Sequence, residues 1–175
     1  EDKTVAYLIA QMQKIGLEPG GVNGSWTQAV PMMRSEVKSP VTMTFSTPET
    51  VLTLNQGISV SVDTATALTN ISAADVPVVF VGFGANAPEQ DWNDYGDIDL
   101  ADKLVIYLVN DPDFAAQPDE PVAGRFGNRR MTYYGRWAYK FEEAARRGAF
   151  GALVIHETEA AGYDWSVAAA GAGEN

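Results

Sequence analysis

The sequence predicts an α/β fold. Near-continuous apolar runs at 77–81, 104–109 and 152–155 are typical of strands that are buried on both faces. A helical pattern at 134–147 lies between the second and third runs and indicates a strand–helix–strand unit, which is normally right-handed. We therefore expect a mixed, barrel-like β-sheet with flanking helices, preceded by an N-terminal helix and short antiparallel strands.

The N-terminal segment changes its period near Ser25. Before it, apolar residues recur at three- and four-residue spacings from Val5 to Ile15, and Gly16 stands where a helix commonly ends. From 25 to 62, apolar and polar residues alternate, which predicts short antiparallel strands with one wet face. Prolines punctuate this stretch and place some of the strands at sheet edges. These prolines are Pro31, Pro40 and Pro48.

The later segments follow the same rules. Helix 134–147 presents one apolar face and ends at Gly148. The residues of that face are Trp137, Phe141, Ala144 and Ala145. The stretch 110–132 contains prolines and little periodicity, which predicts a long surface loop. The final residues, 168–175, have no evident reason to be ordered.

Composition narrows the classes of function. The chain has 175 residues, with 23 Asp and Glu against 12 Lys and Arg, for a net charge of −11. Binding to nucleic acid or to an anionic membrane relies on cationic side chains, so we expect neither partner. The absence of cysteine excludes disulfides and thiol catalysis. The single histidine, His156, leaves too few ligands for a hydrolytic zinc site within this chain.

A glycine motif follows the first apolar run. Residues 82–87 read GFGANA and fit the dinucleotide-binding pattern GxGxxA. That function requires a helix whose N-terminus faces the pyrophosphate, but Pro88 follows at once and 89–102 has no apolar helical stripe. We interpret Gly82 and Gly84 instead as residues that permit a bulge or a sharp turn at a strand end.

An acidic loop follows at 91–102. Its side-chain oxygens are spaced somewhat like those of a calcium loop, although position five is Tyr95 and position twelve is not glutamate. A weak, irregular calcium site is one interpretation, and a solvated turn whose side chains bond their own backbone is the other. The candidate ligands are Asp91, Asn93, Asp97, Asp99 and Asp102.

Arginine and aromatic residues are concentrated at 125–137, which is unusual in so acidic a chain. Guanidinium groups bind carboxylates with paired hydrogen bonds, and aromatic rings supply flat apolar walls. The segment therefore indicates contact with an anionic or peptidic ligand, or with a partner domain. The alternative is internal pairing with acidic residues and burial of the rings. The candidates for substrate contact are Arg129, Arg130, Tyr133, Tyr134, Arg136 and Trp137.

His156 ends the third apolar run, where α/β folds often place ligands. A lone histidine is more commonly a structural residue than a ligand. Ser25 and Ser166 have no base-and-acid partners nearby in the sequence, so nothing supports a Ser-His-Asp triad. We predict no catalytic residue in this chain.

Two long stretches resemble a known family. VVFVGFGANAPEQDWNDYGDIDLADKLVIYLVNDPDF and GRFGNRRMTYYGRWAYKFEEAARRGAFGALVIHETEAAGYDWSV are similar to the protease-associated domain of secreted zinc aminopeptidases, in the bacterial aminopeptidase and glutamate-carboxypeptidase family. The first part, with its helix and IGLEPGG turn, resembles the opening of the catalytic domain in that family. The resemblance thus divides the chain into 1–60, the start of a peptidase domain, and 61–175, a protease-associated domain.

The resemblance implies a role within a larger enzyme. In that family, two zinc ions held by His, Asp and Glu activate a water that removes residues from peptide termini, and their ligands lie after the inserted domain. The chain is therefore expected to be a fragment: a non-catalytic domain that gates or contacts peptide substrate beside the active site. Its partner would be the catalytic domain of the same polypeptide, which would hold the zinc. The resemblance also implies a secreted or periplasmic protein.

Two other interpretations stay open. One is an independent module that binds carboxylate-bearing peptides, or calcium, and has no peptidase parent. The other is a self-sufficient hydrolase that uses His156.

Overall fold

A computed structural model describes residues 1–32, 37, 41–64, 66, 68 and 70–170. The chain forms two compact units, Glu1–Arg34 and Ser35–Asn175. The boundary that the resemblance places at residue 60 stays a prediction.

The first unit begins with the predicted helix, α1 (Asp2–Lys14). Gly16 takes a left-handed φ of +81°, and the Leu17 N–H donates to the Met12 carbonyl, which ends the helix as its sequence predicts. A short 3-10 turn, Val22–Gly24, follows.

The strand predicted from Ser25 onward is wrong, because 25–32 contains no strand. The Ser25 hydroxyl donates to the Thr27 carbonyl at 2.6 Å and accepts from the Thr27 N–H at 3.1 Å. This local bonding turns the backbone and competes with a strand ladder. The predicted edge position at Pro40 lies outside the described residues.

The alternating pattern is confirmed in an antiparallel hairpin of β1 (Thr42–Ser46) and β2 (Val51–Asn55). Met43 lies opposite Leu54 in the register, so the apolar residues share one face of the hairpin. A further strand at 58–62 was predicted and is wrong. The Asn55 carbonyl there accepts from three successive N–H groups, 58–60, which closes a turn and leaves a single bridge to Val60.

The main sheet has three parallel strands in the order β3-β6-β7. They are β3 (Val78–Phe80), β6 (Leu104–Leu108) and β7 (Gly151–Ile155). Along the chain, β3 and β6 are separated by a small hairpin of β4 (Asn86–Ala87) and β5 (Trp92–Asn93), which forms a sheet of its own. The mixed α/β class is confirmed. The described residues form these small sheets and not the closed barrel that the sequence suggested.

The sequence predicts burial on both faces for every strand of the main sheet. This is wrong for β3 and for β7, since no residue of β7 is buried and Ile155 is 44% exposed. Val79 packs against the core, but its neighbours Val78 and Phe80 point to the other face and are 45% and 57% exposed. β3 is an edge strand with one open face. Across the parts of the chain that are described, no helix is long and apolar enough to cross a bilayer.

The core lies between the main sheet and helix α2 (Trp137–Arg146), which connects β6 to β7. Its fully buried members are Val81, Tyr95, Leu100, Val105, Tyr107 and Ala144. The predicted loop at 110–132 is confirmed in that it contains neither helix nor strand. Its position on the surface is wrong for 110–113, which are buried.

The buried face of α2 differs from the apolar face that the sequence predicted. Phe141 and Ala145 are exposed, whereas Lys140 and Glu143 are buried. Glu143 accepts hydrogen bonds from the side chains of both arginines at 146–147, each at 2.8 Å, which compensates its carboxylate for the loss of water.

Two short helices follow β7 in the described part of the chain, α3 (Thr158–Ala161) and α4 (Trp165–Ala170). Residues 168–170 therefore belong to a helix, and the expectation that they lack order is wrong. The Trp165 indole N–H donates to the Ile58 carbonyl at 2.8 Å, which gives α4 a fixed partner. Residues 171–175 lie outside the described residues.

Substitutions of Gly82 and Gly84 test how closely the turn after β3 packs against the core. Both have φ near +60°, but an added Cβ would meet nothing at Gly82 and would lie 2.2 Å from the Tyr107 ring at Gly84. Gly82→Ala should cost about 1 kcal/mol of backbone strain, and Gly84→Ala about 3 kcal/mol because a steric term is added. Urea unfolding of both variants measures the difference. Equal losses would contradict this packing.

Candidate functional site

The amine of Lys140 joins three separate segments. This side chain is fully buried, and its Nζ donates to the carbonyls of Phe83, Tyr134 and Asn110 at 2.6, 3.1 and 3.2 Å. Burial lowers the pKa of Lys140 to about 8, while the carboxylates of Asp111 and Asp94 oppose that shift. The turn after β3, the end of β6 and the segment before α2 are thus held at one point.

The sequence Asn110-Asp111-Pro112-Asp113 organises the long loop. Asp111 accepts from the N–H and the hydroxyl of Thr132 at 2.6 and 2.7 Å. Asp113 uses its Oδ2 to accept from the N–H groups of Phe126 and Asn128 at 2.9 and 3.0 Å. Burial raises the pKa of Asp111, since a carboxylate out of water favours its neutral form. These two carboxylates replace a regular ladder as the acceptors for this loop.

Gly135 allows the loop to return close to the end of β6. The Gly135 carbonyl accepts from the Asn110 N–H at 3.1 Å. A Cβ at Gly135 would lie 2.8 Å from the Met131 side chain and 2.9 Å from the Asn110 backbone. Only glycine fits between these groups without displacing the backbone. The approach sets the start of α2 beside the carboxyl end of the sheet.

A pocket of about 350 Å³ opens at this place. It lies where β6 ends, α2 begins and α3 ends, which is the edge at which α/β sheets commonly bind ligands. Its lining is apolar and aromatic except for one guanidinium. The lining residues are Val109, Met131, Arg136, Trp137, Ala161 and Tyr163.

His156 stands behind the aromatic wall of this pocket. Its ring makes an edge contact with Trp137 at 6.3 Å and a tilted contact with Tyr163 at 5.3 Å between centroids. Its Nε2 lies 3.0 Å from the Tyr163 carbonyl and donates to it, whereas Nδ1 is buried and has no hydrogen-bond partner among the described residues. No serine or carboxylate bonds to the imidazole in the described structure. This arrangement supports a structural role for His156.

The structure separates the substrate-contact candidates into two groups. Arg136 and Trp137 line the pocket together. Tyr134 donates to Glu89 at 2.6 Å and packs its ring edge against Phe126 at 5.9 Å, away from the pocket lining.

The remaining candidates lie on the surface. Arg129 pairs with Glu159 at 2.6 Å, and the Tyr133 hydroxyl donates to Glu142 at 2.7 Å. Arg130 is exposed. The alternative interpretation, in which these arginines pair with acidic residues of the chain, is thus correct for Arg129 and not for Arg136.

The acidic loop bonds largely to itself. Asn93 accepts from the Tyr95 N–H at 3.0 Å, and Asp99 accepts from the Ala101 N–H at 3.0 Å and pairs with Lys103 at 3.1 Å. Within the described ranges, no three His, Cys, Asp or Glu residues are grouped so that they could hold a metal ion. The candidates Asp91, Asn93, Asp97, Asp99 and Asp102 are therefore not gathered, and the calcium site stays a prediction.

The glycine motif at 82–87 and the two serines considered for catalysis have structural roles. Residues 82–87 lead into β4 and a single 3-10 turn, so no long helix presents its N-terminus to a dinucleotide there. Ser25 bonds to Thr27, and the Ser166 N–H donates to Asp164 at 2.9 Å.

Several residues that build the site carry no signal in the sequence. Tyr163 and Met131 line the pocket but belong to irregular segments without a period. Lys140 is not among the residues of the predicted apolar face, and a lysine is rarely buried. No local pattern in the sequence marks these three residues as part of one site.

Comparisons with known proteins add no relative. No family model matches the chain, and neither the curated proteins nor the solved structures compared with it give a significant match.

Lys140 should make stability depend on pH. Its pKa is about 8 in the folded chain and about 10.4 when unfolded, so the unfolded state binds more protons between these values. The free energy of unfolding should therefore rise by about 2 kcal/mol between pH 7.5 and pH 9.5 because of Lys140. When the pH falls back through the folded-state pKa, this gain should disappear. Urea unfolding at both pH values should show this rise relative to Lys140→Met, which cannot titrate.

Lys14→Met, at an exposed position of α1, is the matched control and should retain the rise. A parallel pH dependence in wild type and Lys140→Met would contradict the assignment. An NMR titration of the Lys140 amine in the wild type gives the same pKa directly if the variant does not fold.

Proposed function

We propose that this chain is the protease-associated domain, with part of the N-terminal segment, of a secreted or periplasmic zinc aminopeptidase of the bacterial aminopeptidase and glutamate-carboxypeptidase type. Its role is to contact and gate peptide substrate beside the active site. Support comes from the long sequence resemblance across 75–167 and from a parallel sheet in which α2 connects β6 to β7.

The pocket beside Trp137 is the observation that carries this proposal. It is concave and apolar, it has one cationic group at its rim, and its walls come from the first turn of α2 and from the α3–α4 connection. Small-molecule and peptide side-chain sites have this composition, with few polar groups that fix orientation. Trp137 and Tyr163, with ring centroids 6.0 Å apart, offer two aromatic walls to a side chain.

The residues present do not fit a zinc centre. The only histidine, His156, has one ring nitrogen committed to the Tyr163 carbonyl and the other buried among aromatic rings. Among the described residues, no group of three His, Cys, Asp or Glu side chains is placed so that it could hold a metal ion. In this proposal the catalytic domain of the same polypeptide therefore holds the zinc, and the residues of this chain bind and orient peptide.

The domain contributes by positioning rather than by chemistry. A rigid aromatic wall loses little conformational entropy when it binds a peptide side chain. The buried carboxylate of Asp111 fixes the loop, and the buried amine of Lys140 fixes α2 against the turn after β3. The residues that line the pocket are therefore held in place before a ligand binds. A substrate held in this way has fewer orientations to sample before it reaches a neighbouring active site.

Removal of Trp137 tests the proposal. Dansyl-Gly-Gly-Phe should bind the chain, and Trp137→Ala should weaken that binding by about 30-fold, the effect of losing a central aromatic contact. Phe141→Ala is the matched control, because Phe141 is an exposed aromatic on the same helix and does not line the pocket. Fluorescence titration measures all three affinities.

Activity and metal content of the same sample complete the test. The chain with added zinc should not hydrolyse chromogenic aminoacyl substrates and should retain no stoichiometric zinc. Chelator-sensitive turnover, or equal peptide affinities for wild type and Trp137→Ala, would contradict the proposal.

A further inference from the structure

Among the described residues that line the pocket, Arg136 is the only one with a cationic side chain. The described part of the chain gives its guanidinium neither a hydrogen bond nor an ion pair. Arg129 pairs with Glu159, and Arg125 donates to the Gln90 carbonyl at 3.0 Å. Arg130 resembles Arg136, since its side chain also has no hydrogen bond or ion pair among the described residues, but Arg130 does not line the pocket.

Arg136 combines the absence of an internal partner with a place in the pocket lining, and the chain around it is strongly acidic. With 23 acidic residues against 12 Lys and Arg, a surface arginine has many available carboxylates. Asp164 directly follows the lining residue Tyr163, but its carboxylate accepts from the Ser166 N–H and does not pair with Arg136. A guanidinium left without an internal acid at a pocket rim presents its donors to an external one.

The rest of the lining specifies what accompanies that acid. A volume of about 350 Å³ bounded by Trp137, Tyr163 and Met131 has the size and polarity for one bulky apolar side chain. The Trp137 ring is braced by His156 and Tyr163, so this wall is set before a ligand arrives. Arg136 immediately precedes Trp137, which places the cationic and apolar features next to each other along the chain.

We infer that the pocket selects peptides in which a bulky apolar side chain stands next to a carboxylate, with the apolar group among Trp137, Tyr163 and Met131 and the carboxylate on Arg136. This specificity rests on the proposed function of the same pocket. The carboxylate has two sources in a peptide, the C-terminus and an acidic side chain, and both present the same planar pair of oxygens to a guanidinium.

A panel of dansyl peptides separates these sources. Dansyl-Gly-Gly-Phe carries a terminal carboxylate that its C-terminal amide lacks, and dansyl-Gly-Phe-Asp amide carries a side-chain carboxylate that the Asn counterpart lacks. The inference expects at least one acid to bind about tenfold more tightly than its neutral partner, with the difference abolished in Arg136→Gln. The preferred pair identifies the source.

Arg130→Gln is the matched control, because Arg130 is an exposed arginine of the same segment and is not in the lining. It should retain the discrimination between acid and neutral peptides. Equal affinities for acid and neutral peptides in the wild type, with binding still lost in Trp137→Ala, would overturn the inference and leave the proposed function standing. No binding of any peptide would overturn both. Raising the salt concentration should weaken the acids more than the neutral peptides.

Discussion

The buried amine of Lys140 is the constraint on which this structure most depends. An ammonium group that leaves water needs several strong acceptors, and the backbone carbonyls of Phe83, Asn110 and Tyr134 supply them. Each carbonyl belongs to a segment that has no regular ladder at that point. One side chain thus satisfies three otherwise unpaired acceptors and fixes the distance between the sheet edge and α2. The acids Asp94 and Asp111 lie near enough to favour its charge.

The pocket is a consequence of that arrangement. The loop between β6 and α2 has no strand or helix, so its path is set by carboxylates that accept from backbone N–H groups, with Asp111 and Asp113 as the main acceptors. Gly135 lets the returning chain pass against Asn110, and α2 begins directly after it. An irregular loop positioned by a rigid scaffold is where binding residues are commonly found. Here the loop ends in the guanidinium and indole that define the proposed ligand preference.

Electrostatics divides the arginines of an acidic chain into two classes. Arg146 and Arg147 both bond to Glu143, and Arg147 also lies 3.8 Å over the Tyr95 ring, so these two stabilise the helix and its contact with the core. Arg129 takes part in an exposed pair that contributes little to stability. Arg136 and Arg130 have no such partner among the described residues, and of these two only Arg136 lines the pocket. Sequence position alone does not distinguish these arginines, since all follow one another within a short stretch.

The sequence by itself determined the helix α1, the hairpin β1–β2, the parallel strands and the long loop, because period and turn residues are local properties. It also pointed to Arg136 and Trp137, although within a larger set. Only the tertiary structure decided that β3 is an open edge, that α2 buries Lys140 and Glu143 instead of Phe141, and that Tyr163 closes the pocket. Burial of a charged group depends on acceptors from distant segments, and no local pattern records which carbonyls will meet an amine.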